Sequence, residues 1–156
     1  MKTKLKELII SILIPLFTGG LSAIISMNGM LVFNEVMKPA LTPPNIVFPI
    51  AWTILYTLMG IASFLVFKSN AHKGKIDNAL ILYGIQLLIN FLWSIFFFNF
   101  KWYLFSFIWL ILLWITILIT IIKFYKISKA AAYLLIPYII WVTFAGYLTL
   151  GVYLLN

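Results

Sequence analysis

Three helical stripes carry most of the chemistry in this chain. Trp52, Tyr56 and Gly60 follow at i, i+4 and i+8; Gln86 and Asn90 lie on one face with Trp93 or Ser94; and Tyr138, Trp141 and Ala145 follow Pro137 at i, i+3 and i+7. Such spacing stacks indole and phenol rings beside small residues, with carboxamides alongside. It suits an apolar cavity with a few polar tips that takes a flat aromatic ligand by stacking. The same rings serve equally as packing between helices. An amide surrounded by lipid must find a hydrogen-bond partner, so the Gln86–Asn90 stripe is expected to face protein or ligand. Trp102, Tyr103 and Tyr153 lie near the ends of apolar runs and read as interfacial anchors. Trp109 and Trp114 are expected to face lipid or a neighbouring helix.

The ionisable groups exclude other chemistry. Glu7, Glu35, Asp77 and the single His72 all fall between apolar runs or at their ends. Ion and proton pathways through bilayers use ionisable residues at mid-membrane depth, so a proton-coupled transporter or an acid/base hydrolase is disfavoured. His72 stands alone among lysines and reads as a solvated loop residue, not a metal ligand. With no cysteine there is no disulfide, thiolate metal site or cysteine nucleophile. No metal and no cofactor is expected.

These residues need helices to position them, and the composition places the helices in a bilayer. The 156 residues are 65% hydrophobic, 18% aromatic and 9% charged, against about a quarter charged in soluble domains. A crossing takes about 20 helical residues, so the chain reads as one all-α membrane domain of five transmembrane helices, about 8–27, 44–67, 78–98, 102–123 and 130–154. The first run is long for a signal peptide and lacks a clear A-x-A site. Gly19 with Ala23, and Ser22 with Ser26, have the spacing of small residues at close helix crossings. Pro43 and Pro44 cannot lie inside a helix, but one of them suits its first position. Nine of the eleven lysines flank one set of helix ends, leaving Lys38 and Lys101 on the other. This bias puts the N-terminus in the cytoplasm and the C-terminus outside. The formal charge of +8 is scattered and forms no stripe with interleaved aromatics, so nucleic acid is not an expected partner.

The stretch from Lys38 to Tyr56 has the pattern KPxxxPPNxxFxxxWTxLY; NFLWS follows at Asn90–Ser94 and LLIPYIIWVTFA at Leu134–Ala145. Together they resemble, in order, the signature of the TspO/MBR family, the tryptophan-rich sensory proteins of bacteria and the translocator proteins of mitochondria. The resemblance implies a five-helix bundle, often a homodimer, in a bacterial plasma membrane. A cavity beneath the first long loop would bind porphyrins or similar apolar small molecules. By motif, Trp52, Tyr56, Asn90, Trp93, Trp141 and Ala145 would line it, with Phe33, Pro43, Pro44 and Tyr138 as further candidates. It also implies a second possibility, an enzyme that degrades protoporphyrin, in which Trp52 and Trp141 would act as oxidisable indoles. Val32, Phe33, Val36 and Leu41 stand where Trp, Tyr, Leu and Trp are common in the family, so ligand choice is expected to differ. Trp109 replaces a commonly acidic residue. A binding protein ranks first, the enzyme second, a small-solute transporter third and a purely structural subunit fourth.

Overall fold

The computed structural model describes residues 2–156, and five of its helices are long and apolar enough to cross a membrane. Helix α1 spans Lys2–Ile25 and is followed by a short α2, Met27–Phe33. The second crossing is α3, Val47–Phe67; the third is α4, Lys73–Ser94, which runs on into a π-helical turn at Ile95–Asn99. Helix α5, Tyr103–Tyr125, is the fourth crossing, and α6, Lys129–Leu134, with α7, Ile136–Leu155, makes the fifth.

The boundaries differ from the sequence reading for local reasons. Residues 28–42 were expected to be loop, but α2 forms because Phe33 packs against Phe97 at 5.3 Å and Phe98 at 5.5 Å between ring centroids. Gly29 permits the approach, since a side chain there would strike the Phe98 carbonyl. The second crossing starts at Val47 instead of Pro44: the Pro44 carbonyl accepts the Val47 N–H in a turn. Pro49 then occupies the first helical turn, where a missing N–H costs nothing. The third starts earlier than expected, at Lys73, because the His72 Nδ1 accepts the Gly74 N–H and caps the helix. The fifth is broken at Leu135, where Pro137 has no N–H to offer the Tyr133 carbonyl.

Packing closes the bundle in the order α1, α3, α6/α7, α5, α4 and back to α1. Helices α1 and α3 meet at Gly60, where a side chain would collide with the Ile12 backbone. The small residue on the Trp52–Tyr56 stripe thus admits a helix at this point. Ser22 on α1 and Ser26, between α1 and α2, are both buried, consistent with their packing role. Helix α3 packs closely on α6 but not on α7, so the bundle is tight at the α6 end and splayed at the other. Met59, Ala62, Val66, Ala79, Phe124, Ala131 and Ala132 are wholly buried near the tight end. An ion pair between Lys68 and Glu7 joins the end of α3 to the start of α1 there.

Candidate functional site

The splay between α3 and α7 leaves a cavity of about 440 Å³ under the loop that joins α2 to α3. This lies within the range of about 300–1,000 Å³ of small-molecule sites. Its walls are aromatic on two sides. On one, Trp52 stacks on Tyr56 at 5.4 Å and 26°, and meets Trp141 edge to face at 6.5 Å and 88°. Phe48 adds a further edge against Trp141 at 6.0 Å. On the other, Trp93 stacks on Phe97 at 5.2 Å and 14°, and Phe33 closes over Phe97. Phe97, four residues after Trp93, shares its face in any helix, and the extra residue per turn of the π segment brings Phe98 round to join them. Leu16, Gly19, Gly20 and Ala23 of α1 form a third side, and Ala145, Leu148 and Val152 of α7 a fourth.

The polar groups at this surface are few. Trp93 and Trp141 present ring carbons to it, their indole N–H groups being buried without a hydrogen-bond partner in the chain. Lys38 is the charged residue of the lining. Its Nζ lies 4.9 Å from the Phe33 ring centroid and donates to the carbonyls of Asn34 and Val36. Among the described residues no three His, Cys, Asp or Glu come together.

The loop above is tied down by named bonds. The Asn45 amide donates to Asn34 Oδ1 at 2.8 Å, which ties the two ends of the loop together. Asn156 accepts the Met37 N–H at 3.1 Å and returns its own amide N–H to the Met37 carbonyl at 2.8 Å. The Tyr147 hydroxyl donates to the Ala40 carbonyl at 2.7 Å. Pro39 seats directly on Gly151, where a side chain would meet the proline ring at 2.6 Å.

Beneath the cavity runs a buried polar chain. Tyr56 donates to Asn90 Oδ1 at 3.0 Å, Asn90 Nδ2 donates to the Tyr138 oxygen at 2.8 Å, and Tyr138 donates to Gln86 Oε1 at 2.6 Å. Asn90 and Tyr138 are 3% and 1% exposed and do not reach the cavity wall. The expectation that the amide stripe faces protein or ligand resolves to protein. These groups hold the Tyr56 ring against Gly19 and under Trp52.

Of the ten candidate residues, Phe33, Trp52, Tyr56, Trp93, Trp141 and Ala145 come together on the wall, and Asn90 and Tyr138 stand behind it. Pro43 and Pro44 do not line it; Thr42 and Asn45, on either side of them, do. Sequence reasoning missed Lys38, Phe48, Phe97 and the α1 side. The Gly19–Ala23 pair signalled closeness to another element, but read as helix packing alone. Trp109 and Trp114 do meet neighbours, donating to the Ile89 carbonyl at 2.8 Å and to Thr143 Oγ1 at 2.9 Å.

Comparison with known proteins agrees with this architecture. The sequence model of the TspO/MBR family matches residues 11–154. The chain is 38% identical over 124 residues to the tryptophan-rich protein TspO of Chlorobaculum tepidum, covering 80% of this chain and 78% of that one. It is 40% identical over 124 residues to the protein of the same name from Archaeoglobus fulgidus, covering 80% and 79%. A tryptophan-rich sensory protein of Cereibacter sphaeroides is 34% identical over 113 residues, covering 72% and 69%. With its five apolar crossings, its tryptophan-walled cavity and a family match along nearly its whole length, this chain belongs to the TspO/MBR family and is an integral membrane protein.

Proposed function

We propose that this protein binds a porphyrin, or a flat apolar molecule like it, in the aromatic cavity, as a receptor or sensor. One observation carries the reading: two stacked ring pairs, Trp52 with Tyr56 and Trp93 with Phe97, line one common space of ligand size. A ligand with a flat π face and a peripheral carboxylate matches the stacked rings, and Lys38 at the loop offers that carboxylate a cation. The word "sensory" in a relative's name is in keeping with this. Dark titration with protoporphyrin tests it. Tryptophan emission should quench saturably, and less so in Trp52→Phe or Trp141→Phe; quenching unchanged in both variants overturns the assignment.

A second reading, oxidative or light-dependent porphyrin breakdown with dioxygen as oxidant, draws on Trp52 and Trp141 lying 6.5 Å apart on the wall. It requires loss of the Soret band with a discrete product, dependent on those indoles. Three further proposals concern setting: a bacterial plasma membrane, with the lysine-rich end of the bundle in the cytoplasm by the positive-inside bias, and a homodimer. Gly84, on the outer face of α4 with open space above it, suits close approach of a second copy.

A further inference from the structure

Away from the cavity, at the tight end of the bundle, the turn from α5 to α6 carries Lys123, Lys126 and Lys129, all exposed. The chain has only three acidic residues, Glu7, Glu35 and Asp77, and none belongs to α5, α6 or α7. Among the described residues the one ion pair joins Lys68 to Glu7, so these three ammonium groups have no carboxylate partner. Two phenol rings accompany them. Tyr125 and Tyr133 are 45% and 60% exposed with centroids 6.2 Å apart, and the Lys129 Nζ lies 5.7 Å from the Tyr125 ring. One turn deeper the same face is aliphatic, with Ile122, Ile136 and Ile140 exposed.

The platform beneath is rigid. Ser128 accepts the Ala131 N–H and caps α6, while Ala131, Ala132 and Phe124 are wholly buried against the neighbouring helices. Lys126 and Lys129, then the phenols, then aliphatic side chains thus follow one another into the bilayer, matching a phosphate, the glycerol region and acyl chains, while Lys123 stands deeper, beside Ile122. We propose that this surface binds the headgroup of an anionic phospholipid. Lys126 and Lys129 contact the phosphate, and Tyr125 and Tyr133 lie at the level of the ester groups. The other six lysines of this end are differently placed: Lys2, Lys4 and Lys6 lie at the start of α1 beside Glu7, Lys68 is paired with Glu7, and Lys73 and Lys75 share their turn with Asp77.

This site is independent of what the cavity holds, and its test uses no cavity ligand. The purified full chain in neutral detergent is titrated with phosphatidylglycerol or with phosphatidylcholine of the same acyl chains, following the melting temperature by tryptophan emission. Phosphatidylglycerol should stabilise saturably. At about 1 kcal/mol per lysine, Lys126→Gln/Lys129→Gln should need about thirtyfold more of it, and Lys73→Gln/Lys75→Gln should match the wild type. Should the first double variant not fold, Lys129→Gln alone should cost about fivefold. Equal stabilisation by phosphatidylcholine, equal weakening in both double variants, or equal stabilisation by inorganic phosphate each overturns the proposal.

Discussion

Replacing Asn90 by leucine separates two roles that the residue could hold. In the wild type its carboxamide accepts from Tyr56 at 3.0 Å and donates to Tyr138 at 2.8 Å, and it is 3% exposed. Leucine keeps much of the volume and removes both bonds. Tyr138 retains Gln86 as acceptor, but the Tyr56 hydroxyl, on a residue 8% exposed, is left without one. Hydrogen bonds between membrane helices average about 0.6 kcal/mol each, and a stranded buried donor costs about 1–3 kcal/mol. Asn90→Leu should therefore destabilise by about 2 kcal/mol, read as a shift in denaturant-induced unfolding in mixed micelles. Because Asn90 stands behind the wall, protoporphyrin affinity should fall only severalfold, through loosened positioning of Tyr56 and Trp52. Unchanged stability with abolished binding would refute this and make Asn90 a direct ligand contact.

Other perturbations probe the packing and the loop. Gly60→Ala places a methyl group 2.7 Å from the Ser11 carbonyl and into the Ile12 backbone, so it should cost about 1–3 kcal/mol of stability by overpacking. Gly84→Ala, in the interior of α4, meets nothing within 4 Å and should leave monomer stability unchanged or raise it by up to about 1 kcal/mol in the same unfolding assay. Asn156→Ala removes both bonds to Met37. It should raise hydrogen exchange at the Met37 amide at least tenfold and speed porphyrin dissociation, with helix α3 protection unchanged.

Much of the fold was legible because lipid imposes a simple rule: five apolar runs of sufficient length make five helices. Their interruptions were not. The π turn at Ile95–Asn99 and the short α2 stabilise each other through Phe33, Phe97 and Phe98, and neither segment signals this alone. Pro137 was visible, but its effect depends on whether the Tyr133 carbonyl finds another donor. In the candidate site, the rings of Trp52, Tyr56, Trp93 and Trp141 were readable from type, spacing and family pattern. The placement of Asn90 and Tyr138 was not, because a buried amide needs a partner but does not say which. Gly20 and Ala23 escaped notice as wall residues because bare backbone carries no chemical label.

The central claim is that a porphyrin occupies the space between Trp52, Trp93 and Trp141. The chain has no cysteine, so Ala145→Cys creates a single thiol on the cavity wall and Lys75→Cys one at the far end. The decisive measurement is the rate of modification of each thiol by a small thiosulfonate reagent, in the dark, with and without saturating protoporphyrin. Occupation of the cavity should slow modification at residue 145 at least tenfold and leave residue 75 unaffected. Equal rates at residue 145 with and without ligand, in a protein whose tryptophan emission is nonetheless quenched, would place the porphyrin elsewhere and contradict the account.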